Sequence, residues 1–185
     1  QGFSDIEYII VDGCSKDGTT AIIKSAESSF NGRLKWVSEP DKGLYDAMNK
    51  GIKMATGDVI GILNSDDLFY DSNVLRDIAL AFDENTDALF GNLYFVKSDD
   101  VHCIVRAWKG STYSSFKKGW HPAHPTFYVR REVYEKYGGF DISFDVSADF
   151  ELMLRFIEKN RIRTKYLDRY MVKMRMGGES TRNIA

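Results

Sequence analysis

Hydrophobic and polar positions alternate in blocks along the first half of the chain. Ile6 to Val11 is an apolar run closed by Asp12-Gly13-Cys14-Ser15-Lys16-Asp17-Gly18, the pattern of a buried strand ending in a polar, glycine-containing loop. A helix is predicted next, capped by Thr19 or Thr20, with Ile22, Ile23 and Ala26 as its core stripe and Asn31-Gly32 as its break. Leu34 to Val37 alternates like a second strand. Leu44, Met48, Ile52 and Ala55 recur at helical spacing, Gly57 stops that helix, and Val59 to Leu63 reads as a buried strand running into Asn64-Ser65-Asp66-Asp67. Val74, Leu75, Ile78 and Phe82 mark a further helix, and Ala88 to Val96 a further strand. Such alternation predicts an α/β fold with a mostly parallel, Rossmann-like sheet flanked by helices.

Beyond about residue 97 the pattern loosens. Ile104 to Trp108 and Phe127 to Val129 are short strand candidates, and Phe150, Met153, Leu154 and Ile157 mark one amphipathic helix. With no repeat, low-complexity tract or linker, residues 1–185 read as a single domain, divided into a first half, 1–97, and a second, 98–185.

Composition narrows the class. The 185 residues are 43% hydrophobic and 28% charged, as in a soluble globular domain, and a chain of this size buries roughly 70% of its unfolded surface. No run approaches the ~18 apolar residues of a membrane span, and the first residues lack the basic and apolar regions of a secretion signal. Two cysteines, Cys14 and Cys103, exclude a disulfide framework and point to a reducing, cytoplasmic compartment. The net charge of −2 conceals an imbalance: residues 151–185 carry nine Lys/Arg against four Asp/Glu, and residues 1–150 sixteen against twenty-three. The basic end reads either as a solvated face or as an attractor for a phosphorylated ligand or an anionic surface.

Two predicted strands run into carboxylates, Asp12 after the first and Asp66-Asp67 after the third, and that edge of an open α/β sheet is where ligands bind. Adjacent carboxylates repel, and a hard divalent cation, Mg²⁺ or Mn²⁺, relieves the repulsion; capping of the next turn is the alternative. Asp149 lies in the first turn of its helix, a position usually explained by the helix dipole, with Phe144 and Phe150 as nearby apolar neighbours. His121 and His124 flank Pro122-Ala123, too few ligands for zinc. That loop suits contact with a phosphate or sugar as well as plain packing. Trp108, Tyr113, Phe116 and Trp120 before it offer faces for sugar stacking or for a core.

Four ordered blocks resemble the family 2 glycosyltransferases of the GT-A fold. They are Ile9 to Thr19, Glu39 to Gly51, Gly57 to Asp67, and a fourth from His124-Pro125-Thr126-Phe127 through Gly138-Gly139-Phe140-Asp141 to Ala148-Asp149-Phe150-Glu151-Leu152. The last looks like the acceptor half of bacterial members that build surface polysaccharides. The resemblance implies an inverting transfer of a sugar from a nucleotide diphosphate sugar, usually UDP-linked, to an acceptor hydroxyl. It implies that Asp12 accepts from the base and that Asp41, Asp46 and Asn49 line the nucleoside side. By the same likeness Asp66 lies near ribose and metal, Asp67 binds Mn²⁺ or Mg²⁺ across the diphosphate, and Asp149 is the general base, with Glu151 the weaker substitute. His124, with Trp120, is implied to contact the diphosphate or acceptor. The partners that follow are a nucleotide sugar and a growing glycan, lipid-linked at the inner face of a membrane on the strength of the basic segment 161–182, and no nucleic acid.

Two departures stand out. Cys14 occupies a place where many members carry glycine or aspartate. Members also begin with a strand and helix before the segment matching Gln1 to Glu7, the strand lying between those that end at Asp12 and Asp67. A longer native polypeptide or a contact from another chain is therefore expected. The same departure motivates the alternative of a nucleotide-sugar-binding module or an inactive fragment. A nucleotidyltransferase is a third reading, though the glycine-and-basic N-terminal loop of that chemistry is missing.

Overall fold

The computed structural model describes residues 1–177. They form two compact units, one of residues 1–3, 61–129 and 153–177 and the other of residues 4–60 and 130–152. Among the described residues no helix is long and apolar enough to cross a membrane.

The second unit opens with β1 (Tyr8–Asp12), α1 (Thr19–Ala26) and β2 (Leu34–Ser38). The two strands pair in parallel, Tyr8 opposite Leu34 and Asp12 opposite Ser38, so the apolar run delivers Asp12 to the strand's carboxyl end. Among the described residues this sheet has two strands, which leaves one edge of β1 without a strand partner. No threonine side chain caps α1. Gly18, at φ 90, takes the N-cap position, and the Asp17 carboxylate accepts from the Thr19 N–H and hydroxyl. Only glycine adopts that backbone cheaply. After α2 (Leu44–Met54) comes β3, which is just Val59–Ile60 rather than the longer run expected. α4 (Arg131–Tyr137) follows later in the chain, an element the loosened pattern concealed.

The first unit is built on β5 (Ala88–Val96), whose first six residues are all buried. It pairs in parallel with β8 (Thr164–Arg175) and antiparallel with β6 (Ile104–Trp108) and β7 (Tyr128–Arg130), while β4 (Leu68–Phe69) pairs antiparallel with β8. The sheet is thus mixed, because the short 97–103 connection folds β6 straight back on β5, and only crossovers of a dozen or more residues yield parallel neighbours. β8 is a further element absent from the sequence reading. Its Met171 and Val172 are fully buried with Leu89, Leu93, Val129 and Phe156. The unit also holds α3 (Val74–Ala81), anchored by Val74 and Ile78. The amphipathic helix begins as α5 (Ala148–Met153) and widens into a π-helical turn over Leu154–Lys159.

Candidate functional site

Five of the nine candidate residues lie in the second unit: Asp12, Asp41, Asp46, Asn49 and Asp149. Asp12 Oδ2 accepts from the Ser15 N–H (3.0 Å) and the Ser38 hydroxyl (2.6 Å). Hydrogen bonds from Ser15 and Ser38 hold its carboxyl below the usual carboxylate range, so it is a fixed, ionised acceptor at the mouth of β1. Asp41 accepts from the Gly43 N–H (2.9 Å), and its other oxygen lies where a Cβ on Gly13 would come within 2.5 Å. Gly13 is therefore what lets Asp41 approach the Asp12 loop. Beside it Cys14 has φ 66, the left-handed backbone that glycine or aspartate adopts more readily.

Asp46 accepts from the Lys42 N–H (3.0 Å) and lies 3.7 Å from Lys50. Asn49 is a clamp: its Nδ2 donates to the Phe140 carbonyl and its Oδ1 accepts from the Phe140 N–H, both at 2.8 Å. A Cβ on Gly139 would collide with that amide. Tyr45, one helical turn before Asn49, stacks on Phe140 with ring centroids 5.4 Å apart and donates its hydroxyl to Asp149 Oδ1 at 3.3 Å. Burial and the Asp149 carboxylate raise the Tyr45 phenol above its ordinary pKa, which keeps it a donor at neutral pH. One face of α2 thus meets the 139–149 segment at Phe140 and at Asp149. Ser147, at φ 69, is not a conventional cap; its carbonyl accepts from the Glu151 N–H (3.0 Å).

Asn49→Ala is expected to cost roughly 2 kcal/mol, because it removes two hydrogen bonds to the Phe140 backbone, or about 4–8 °C of Tm. Thermal melting alongside UDP titration checks this. A loss of UDP affinity at unchanged Tm would put Asn49 on the nucleotide instead.

The first unit carries Asp66, Asp67, His124 and Trp120. Asp66 and Asp67 stand immediately before β4, in the connection that follows β3 rather than at its end. Asp67 is only 6% exposed, accepts from the Arg175 N–H (3.2 Å) and has Asn64 Nδ2 at 3.4 Å. Burial, then the neighbouring Asp66 charge, push its carboxyl up to about 6. Arg175 of β8 also donates to the Asp66 carbonyl (2.9 Å). No cluster of three His, Cys, Asp or Glu exists among the described residues. A pair of hard carboxylates, one desolvated and repelled by the other, nonetheless fits a Mg²⁺ or Mn²⁺ ion that completes its shell with phosphate oxygens.

His124 is buried in a 3-10 turn, His124–Thr126, that Thr126 ties to β5 through hydrogen bonds with Gly91. Trp120 donates to the Ser111 carbonyl (3.2 Å) and packs edge-on against Phe90, Tyr113 and Phe116. Its surroundings are those of a small aromatic core. Three cations of the basic segment form ion pairs inside their own unit: Arg163 with Asp87, Lys165 with Asp83, and Arg169 with Asp71 and Asp77. Residues 178–182 of that segment lie outside the described residues.

Residues 1–157 match the family model described as glycosyl transferase family 2. The chain belongs to that family. A mycobacterial relative, the PGL/p-HBAD biosynthesis glycosyltransferase of Mycobacterium bovis, is 27% identical over 172 residues, covering 90% of this chain and 64% of the relative. An uncharacterized glycosyltransferase of Mycobacterium tuberculosis is 33% identical over 159 residues, 81% of this chain and 56% of that protein. The chain thus spans less than two thirds of each. S. aureus TarS 1–349 in complex with UDP superposes with a TM-score of 0.68 at 20% identity, over 95% of this chain and 53% of that one. The same protein in complex with UDP-GlcNAc gives 0.66 at 19% identity. These structural likenesses establish a GT-A fold for this member of family 2.

Tyr45 and Arg175 are neighbours of the candidate residues that sequence reasoning missed. Tyr45 shares a helix face with Asn49, four residues on, and that spacing was the available signal. Arg175 carried none, because the aspartates it meets are more than a hundred residues away.

Proposed function

We propose that the chain is the catalytic portion of an inverting glycosyltransferase that moves a sugar from a nucleotide diphosphate sugar, UDP-linked, to an acceptor hydroxyl of a surface glycan. Asp149 carries this reading: a carboxylate presented by α5 and held by a tyrosine from a separate helix is a positioned base rather than a helix cap. Family membership, the UDP complex of the structural neighbour and the name of the mycobacterial relative support the donor and glycan classes.

Asp12 accepts the base N–H, with Asp41 beside it and Gly13 giving it access. Asp149 takes the proton of the acceptor hydroxyl as that oxygen attacks the anomeric carbon from the side opposite the diphosphate, so one displacement inverts the centre. Tyr45 holds Asp149 in place during that transfer. Asp67, with Asp66, would hold Mn²⁺ or Mg²⁺, which when bound supplies charge neutralisation to a departing diphosphate.

Calorimetric titration of UDP with and without Mn²⁺, paired with a donor-hydrolysis assay, tests the assignment. UDP is expected to bind at least tenfold more tightly with Mn²⁺, with metal-dependent release of free sugar from the donor. Binding without any turnover would favour a nucleotide-sugar-binding module.

A further inference from the structure

A groove of about 540 Å³ runs between α2 and α4 of the second unit. Its walls are Ile52 and Ala55 from α2 and its C-cap, Tyr134 from α4, and Phe140 and Ile142 from the segment that leads to Asp149. That size lies inside the usual range for small-molecule sites, roughly 300–1,000 Å³, which are mostly apolar with few polar groups. The rim carries Asp46, Lys53, Arg131 and Glu135, two charges of each sign, and Arg131 is paired with Glu135. Nothing there selects an anion or a cation.

Along the chain, exposed apolar residues continue from the groove wall toward Asp149. Ile142, Phe144 and Val146 are 48%, 43% and 64% exposed, three large apolar side chains within five residues. One exposed aliphatic residue is ordinary, whereas a run of them beside a site marks a contact surface. No Lys or Arg occurs from 137 to 154, while Asp141, Asp145, Asp149 and Glu151 do, so this stretch disfavours an anionic headgroup. The groove is linked to Asp149 through two side chains: its wall residue Phe140 stacks on Tyr45, whose hydroxyl meets Asp149.

We propose that the α2–α4 groove and the 142–146 segment form a subsite for an uncharged apolar tail, alkyl or aryl, carried by the acceptor near the hydroxyl that is glycosylated. The proposal rests on Asp149 being the base that receives that hydroxyl's proton. It separates the acceptor from the lipid diphosphates that the basic segment suggests, since the surface beside Asp149 is apolar and acidic.

Calorimetric titration of the protein, with and without UDP, compares octyl glycosides with the matching methyl glycosides below micelle-forming concentrations. The octyl compounds are expected to bind at least tenfold more tightly. Ala55→Phe, which fills the groove, and Ile142→Ser, which removes an apolar wall, should each bring octyl affinity to within threefold of methyl, with UDP affinity reporting that the variants are folded. Equal affinities in the unmodified protein, or an octyl advantage that survives both substitutions, overturns the subsite. Absence of UDP binding in the unmodified protein would instead overturn the glycosyltransferase reading, while the UDP-free comparison still decides the groove.

Discussion

Asp149→Asn is expected to lower sugar transfer by about 10²–10⁴-fold, the usual worth of a positioned general base, while UDP affinity changes less than twofold. Asparagine keeps the shape and can still accept from the Tyr45 hydroxyl, so the 139–149 segment should hold its place. What is lost is the capacity to take a proton. Initial rates at saturating donor, beside UDP titration, read both quantities. Tyr45→Phe separates positioning from chemistry: it keeps the ring stacked on Phe140 and deletes one long hydrogen bond to a carboxylate, which predicts a roughly three- to tenfold fall in kcat at unchanged donor KM. Transfer by Asp149→Asn within a factor of ten of the unmodified rate would remove Asp149 from the mechanism and turn attention to Glu151.

The contrast between Asp149 and Tyr45 shows what was legible in the chain itself. Strands β1, β2 and β5 and helices α2 and α3 announce themselves through apolar runs or apolar residues at helical spacing in their own sequence, and Asp12 stands out at the end of the first run. β8 does not. Its apolar residues are interleaved with Lys165, Asp168, Arg169, Lys173 and Arg175, and Met171 and Val172 become core only through pairing with β5, more than seventy residues earlier. β4 is two residues long and owes its existence to β8. The same logic governs the site. Asp12 could be placed from its strand, and Asp149 through family likeness, but the Tyr45 contact spans 104 residues and is invisible to any local pattern. The basic segment makes a related point: three of its cations, Arg163, Lys165 and Arg169, meet aspartates supplied by distant turns and α3, pairings that no local pattern announces.

Asp67→Asn is expected to make the protein more stable and the donor site worse. A carboxyl whose folded value sits near 6, against an ordinary 3.8, binds its proton more readily folded than unfolded. The sign follows: its contribution is neutral-to-favourable below about pH 4, declines as pH rises from 4 to 6, and above 6 remains as a cost of ionisation in a desolvated place beside Asp66. Two pKa steps correspond to at most about 3 kcal/mol, an upper bound of roughly 6–12 °C in Tm. The carbonyl oxygen of the substituted side chain can still accept from the Arg175 N–H, so the relief is not cancelled by a lost hydrogen bond. Melting curves of the two proteins at pH 7 and pH 4 should therefore diverge at the higher pH and converge at the lower. UDP titration of the variant should lose the Mn²⁺ enhancement at the same time. Under the proposed function, a carboxylate kept where it destabilises the fold would be accounted for by a cation held there. If Asp67→Asn instead leaves Tm at pH 7 unchanged and Mn²⁺ still tightens UDP, Asp67 is a structural acceptor for Arg175 and the metal assignment falls.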